Sequence, residues 1–245
     1  MRIVRAYWLM LRFDFLSNRA WLPMWLGVQM VLAVGASLMY GFYLPKLTPG
    51  AAAFIVTGSP TLALVPIGLV MLPFGVNMQR AARTFDFLWS LPVPRPVSVA
   101  ATLTVFTLVS LPGIVVTLIL ASLRYDVELH VSPSIVPAVL LCSLMAASVG
   151  LGIAHGIRSA LIGGLITNLL MFVALMFSPI AMPIEQFPAW LADLHRVLPL
   201  YHMAVVIRAG LTTGLVSDVG ASYLILTAWT LGGLAAAGWV IGRRG

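Results

Sequence analysis

Residues 77–95 read NMQRAARTFDFLWSLPVPR, a charged and turn-rich stretch set between two apolar runs, each long enough to cross a bilayer. Such a break between two runs of ~20 apolar residues implies a chain that crosses a membrane repeatedly and returns to water here. The composition agrees, since 61% of the 245 residues are hydrophobic and 9% are charged, against roughly 25% charged residues in soluble domains. Six apolar segments lie at about 21–44, 54–76, 97–123, 135–154, 160–182 and 219–242. The first five hold no charged residue, and Asp218 sits just before the sixth. An Arg or Asp at a span centre costs about 2.5–3.5 kcal/mol while each Leu returns only about 0.3–0.6 kcal/mol. All six segments are therefore expected to insert, giving an all-α membrane protein built as a single transmembrane domain over 1–245.

The basic residues set the orientation. With the N-terminus inside, Arg2, Arg5, Arg12, Arg19, Arg80, Arg83, Arg95, Arg158, Arg243 and Arg244 are cytoplasmic, and Lys46, Arg124, Arg196 and Arg208 are outside. This asymmetry favours cytoplasmic N- and C-termini. The net charge of +7 and pI near 10.3 do not indicate nucleic acid, because the cations are scattered over short loops rather than gathered on one face. Cys142, the only cysteine, lies inside an apolar run, which excludes an intrachain disulfide and a cysteine-based metal site.

Residues 1–20 are not a cleavable signal, since Arg12 and Asp14 interrupt any apolar core. At 100° per residue, Arg5, Arg12 and Arg19 form one stripe while Val4, Tyr7, Trp8, Leu11 and Phe15 form another, with Asp14 as the exception. The expectation is an interfacial helix on the headgroups of membrane lipids; the alternative is a basic tail. Pro60, Pro66 and Pro73 in the second span and Pro112 in the third are expected to kink their helices.

Helical periodicity across residues 80–91 places Phe85, Leu88 and Trp89 on one side, after which Pro92, Pro94 and Pro96 stop the helix. A short helix with a basic start, one acid (Asp86), an apolar face and a rigid stop suits docking into a groove on a partner. The alternative is a solvated loop that serves topology alone.

The same stretch resembles the cytoplasmic segment of the type-2 ABC export permeases. There a Glu-Arg-Glu-x-Gly-Thr-like beginning leads through Leu-Glu-Leu-Leu to Ser-x-Pro-Val-x-Arg, and Thr84, Asp86, Leu88, Ser90, Pro92, Val93 and Arg95 match in kind and order. Gln79, Ala81 and Arg83 stand where that pattern has acids and glycine. The resemblance implies that 78–96 is a coupling helix, with Arg80, Arg83, Thr84, Phe85, Asp86, Leu88, Trp89 and Pro92 facing a separate ATPase. A second match runs through Pro183, Glu185, Pro188, Trp190 and Leu191 to Leu198, Pro199, Leu200 and Arg208. It is similar to the Pro-x-Glu-x-x-Pro-x-Trp-Leu segment that such permeases fold as outer re-entrant helices, which assigns 183–210 to that role. Trp190 and Tyr201 are equally well read as interfacial anchors.

A P-loop needs Gly-x-x-x-x-Gly-Lys-Ser/Thr, and the one lysine, Lys46, lies between Pro45 and Leu47. The resemblance therefore implies a non-enzymatic permease subunit with no cofactor of its own. A partner ATPase would hold ATP and Mg, and a second permease subunit, identical or paralogous, would complete the pathway.

An intramembrane enzyme is one rival reading, but the four histidines are poorly placed for a buried catalytic cluster. A secondary carrier or channel is another, although no acid or histidine falls at a span centre, where an ion-coupled carrier would keep one. Among the polar span residues Gln29, Asn77 and Asn168, Asn168 is the candidate for a bond across helices or a contact with cargo. Charge-free spans suit a drug, lipid or peptide-like cargo. Thirteen arginines against one lysine hint at a GC-rich bacterial genome and hence a bacterial plasma (inner) membrane.

Overall fold

The computed structural model describes residues 2–43, 48–82, 84, 91–157 and 159–242, and the described residues form helices and connecting turns without a strand. The helices are α1 (Arg2–Asn18), α2 (Leu22–Tyr43), α3 (Pro49–Pro66), α4 (Leu72–Ala81), α5 (Arg95–Tyr125), α6 (Ile135–Gly156), α7 (Ala160–Phe177), α8 (Ala189–His195), α9 (Pro199–Leu211) and α10 (Val219–Gly242). A π turn (Ile67–Met71) joins α3 to α4, and a 3-10 turn (Ile184–Gln186) precedes α8. Among the described residues, four helical stretches are long and apolar enough to cross a membrane: Pro49–Ala81, Arg95–Tyr125, Ile135–Gly156 and Val219–Val240. Two shorter apolar helices, Leu22–Gly35 and Leu161–Phe177, lie within the first and fifth apolar segments of the sequence.

Local chemistry explains where these helices begin. Thr48 precedes α3 in an extended conformation, its hydroxyl accepts from the Ala51 amide at 3.2 Å, and Pro49 fills a first-turn position whose amide has no helical partner. Ser159 caps α7 in the same way through the Ile162 amide at 3.3 Å. Pro94 and Pro96 bracket the start of α5, which then runs unbroken through Pro112 to Tyr125. The expected irregularity of the second span takes a specific form. Pro73 has no amide to donate to the carbonyl four residues back, and the helix widens before it into the π turn, where the Leu72 amide bonds the Ile67 carbonyl.

Small residues set the packing, as they must where lipid competes for every apolar face. Among the described residues α6 and α10 form the most extensive helix pair, and a Cβ on Gly233 would lie 2.8 Å from the Ser148 backbone. Gly150 sits against the Gly68 carbonyl of the π turn, so α6 reaches the irregular turn backbone to backbone. One core layer gathers Trp25, Leu72, Phe106 and Leu151, with Trp25 stacked on Phe106 at 5.4 Å. A second gathers Leu64, Ile114, Met145, Met203 and Leu226. Gln29, buried between α2 and α5, donates to the Ser110 carbonyl at 3.0 Å.

The N-terminal segment is helical, but its faces differ from the expected stripes. Met10, Asp14 and Asn18 are buried against the rest of the chain, and Tyr7 bonds the Thr104 hydroxyl at 2.8 Å. Val4, Trp8 and Phe15 are exposed. Tyr7 and Leu11 therefore belong to the packed face, Leu11 against the first core layer, and the outward apolar face is made by the other three with Leu9 and Leu16.

Candidate functional site

Of the expected coupling residues, Arg83, Phe85, Asp86, Leu88 and Trp89 lie outside the described residues. The stretch is described at its two ends. At the first, α4 carries Arg80, half-buried, whose Nη1 donates to the Ile157 carbonyl at 3.2 Å. This bond ties the end of α4 to the residue that terminates α6. Thr84 is half-buried. At the second end, Pro92 is exposed in a turn closed by the Val93 amide on the Leu91 carbonyl at 2.8 Å, and Pro94 immediately precedes α5. The segment thus leaves one braced helix end and returns through a proline-rich turn onto another.

Beside the two described ends lies a cavity of about 240 Å³ lined by α1, α4, the 91–95 turn, α5 and α6. Asp14 of α1 faces it with only 3% of its surface exposed, and its Oδ2 accepts from the Thr102 hydroxyl of α5 at 2.6 Å. Burial raises the Asp14 carboxyl to about 6, and the Thr102 hydrogen bond partly opposes that rise. Asn18 donates to the Asp14 backbone carbonyl at 2.8 Å, so its amide supports the helix rather than the carboxylate. Among the described residues no cation lies within ion-pair distance of Asp14. His155 is buried in this wall with Nδ1 on the Leu151 carbonyl at 3.0 Å. The sequence signal for the site was a lone acid in an arginine-striped helix; nothing in the pattern identified Thr102 as its partner.

The residues expected in the outer re-entrant segment do not form one cluster. Glu185, Pro188 and Trp190 are exposed, with Trp190 69% so, and Pro199 is half-buried at the start of α9. Arg208 turns the other way and is almost wholly buried. Its Nε donates to the Thr57 hydroxyl at 3.0 Å, and Nη2 donates to the carbonyls of Phe54 at 3.3 Å and Ile180 at 2.7 Å. The guanidinium also lies over the Phe54 ring at 4.0 Å. One planar fork thereby joins α9 to α3 and to the segment after α7.

His202 makes a second join. Its Nε2 meets the Arg196 carbonyl at 2.8 Å, and because a carbonyl only accepts, Nε2 carries the proton. Nδ1 then accepts from the Ser222 hydroxyl at 2.9 Å, linking α9 to α10. Asn168 is exposed on α7 and donates to the Gly164 carbonyl of its own helix at 2.8 Å, and among the described residues it bridges no helices.

A family model described as ABC-2 type transporter matches residues 5–212. No curated protein matches the chain.

Proposed function

Because the chain belongs to the ABC-2 type transporter family, we propose that this membrane protein is the permease subunit of an ATP-driven exporter. The family match over 5–212 is the observation that carries the reading. It includes both the braced end of α4, at Arg80, and the buried Arg208 of α9. In this reading α2, the continuous α3–α4 helix, α5, α6, α7 and α10 are six spans with both termini cytoplasmic. Helix α1 lies on the inner leaflet, and the 3-10 turn, α8 and α9 are outer re-entrant elements of a bacterial plasma membrane protein.

Two such permeases and two ATPase subunits make the working assembly, and ATP and Mg sit on the ATPases. Closure of the ATPases pushes on residues 80–91. Phe85, Leu88 and Trp89 seat in the motor, Asp86 fixes the register by a charge pair, and Pro92 keeps the return turn stiff. Arg80, bonded to the Ile157 carbonyl, passes displacement of α4 to α6. The spans of the two protomers then tilt, and a drug, lipid or peptide-like cargo leaves toward the outside or the outer leaflet.

Purification from native membranes in mild detergent tests the reading. The expected result is co-purification of an ATPase subunit, with association and transport-stimulated hydrolysis reduced at least tenfold by Asp86→Lys. Unchanged coupling in that variant removes the role given to Asp86. Purification without any ATPase favours a carrier or channel.

A further inference from the structure

The cavity under α1 and the lipid-facing side of α5 combine two unlike surfaces in one place. The 240 Å³ cavity holds the Asp14 carboxylate among Asn18, Gln79, Thr102 and His155. A second volume of about 540 Å³ runs between α5 and α10, lined by Pro96, Ala100, Leu103, Leu234, Gly238 and Gly242. Both are bordered by Arg95 and Val99, so they adjoin across the N-terminal end of α5. The first is too small for a whole drug-sized molecule, whose sites are typically ~300–1,000 Å³. It exceeds the ~150 Å³ cavity that admits a benzene ring. The second is apolar, and small residues open it: a Cβ on Gly238 or Gly242 would touch nothing within 4 Å.

The buried carboxylate selects the head. An anion withdrawn from water is costly unless paired, and Asp14 has one hydroxyl donor and no cation among the described residues. Arg95 is exposed at the rim, and His155 is turned to the Leu151 carbonyl. We propose that this composite site binds an amphiphile with an ammonium head, the head paired with Asp14 and hydrogen-bonded by the cavity's polar wall, and the alkyl body lying in the groove between α5 and α10. The chemistry is common to an amine-bearing lipid of the inner leaflet and to a free cationic amphiphile. The proposal rests on the permease reading in one respect, since it gives that permease a cargo-binding site on its cytoplasmic side. Leu91 and Val93 line the same cavity, which puts the ligand against the return turn of the coupling stretch.

Photolabelling tests it with the full chain in maltoside micelles and no ATPase present. The probe is dodecylammonium with a terminal diazirine, mapped by peptide mass spectrometry. Labelling is expected on peptides of α5 and α10, with the diazirine-bearing dodecanol labelling them at least tenfold less. Asp14→Asn, which keeps an acceptor for Thr102, is expected to lower ammonium labelling at least tenfold. Gly238→Phe, which fills the groove from open space, is expected to shift the label off α10 even if Asp14→Asn folds poorly. Equal labelling by the alcohol, unchanged labelling in Asp14→Asn, or an unmoved label in Gly238→Phe overturns the proposal. Competition by palmitoyl-oleoyl phosphatidylethanolamine but not by the phosphatidylglycerol analogue identifies a lipid source. Competition by free dodecylammonium alone identifies a soluble one. Labelling that follows Asp14 while no ATPase ever associates keeps this site and removes the exporter reading; ATPase association with labelling indifferent to Asp14 does the reverse.

Discussion

Replacing Arg208 by lysine separates charge from shape at the most buried cation among the described residues. The guanidinium makes three hydrogen bonds from two different nitrogens and lies over Phe54 at 4.0 Å. A lysine ammonium offers its protons from a single atom. It can meet the Ile180 carbonyl or the Thr57 hydroxyl but cannot span both. Thr57 already donates to the Ala53 carbonyl at 2.6 Å, so it turns only lone pairs toward residue 208. Hydrogen bonds to charged groups contribute about 1.5–3 kcal/mol each. Losing two while recovering part of the ring contact amounts to about 3 kcal/mol. The charge stays buried and the ammonium is more strongly hydrated than guanidinium, so no relief of desolvation offsets the loss. At about 2–4 °C per kcal/mol for a chain of this size, the melting temperature should fall by roughly 6–12 °C. Thermal unfolding of purified protein in nanodiscs measures it. Arg208→Met removes the same bonds but also the buried charge, so it should cost less than lysine does. Lysine tolerated to within about 0.5 kcal/mol, or methionine worse than lysine, would refute the claim that the fork geometry rather than the charge holds α9 to α3.

The other predictions concern the π turn and Asp14. Gly150→Ala drives a Cβ into the Gly68 carbonyl, so a change that usually favours a helix by about 0.5–1 kcal/mol should here lower stability by about 2 kcal/mol; Gly164→Ala, in open space, should not, and paired melting curves decide. Dodecylammonium labelling should fall roughly tenfold between pH 7 and pH 5. The folded-state carboxyl of Asp14, raised to about 6, takes up a proton in that window. The sign is fixed by the direction of the shift: the folded state binds the proton before the unfolded chain does, so acidification through 6 discharges the site while favouring the fold. Arg95 of α5 and His155 of α6 face the same cavity, so Asp14→Asn and His155→Gln profiles assign the step to the carboxylate only if the first is flat and the second keeps it. Thr102→Val removes the hydrogen bond that lowers the Asp14 carboxyl and should move the midpoint to higher pH, read from the same labelling curve.

Most of the helical architecture could be read before any coordinates, because a membrane makes hydrophobic runs and helices nearly the same thing. The runs at 97–123 and 135–154 lie within α5 and α6, whose observed limits extend by a few residues into flanking turns. Proline marked the second span as irregular. What the sequence could not express is how the helix absorbs two prolines seven residues apart. Widening into a π turn between Pro66 and Pro73 depends on what lies against it, and Gly150 of α6 lets the turn backbone come close. A larger residue there would leave a different relief for the same prolines.

The charged residues were legible as a pattern but not as sites. Orientation depends only on counting Arg and Lys by loop, whereas the use of a particular charge depends on partners far away in sequence. Arg208 counted as one cation of an outer loop, yet its acceptors come from Phe54, Thr57 and Ile180, none of which carries a charge to advertise the pairing. Asp14 broke the amphipathic pattern of α1, and the physical reason is the same: its hydroxyl partner, Thr102, is 88 positions away on a helix where threonine reads as an ordinary span residue. Both groups bond to neutral oxygens, so a search for opposite charges overlooks them. They differ in what remains. Arg208 has its fork occupied on three sides and serves the fold, while Asp14 has one donor and a cavity in front of it, and that asymmetry makes the acid rather than the arginine the place for a ligand.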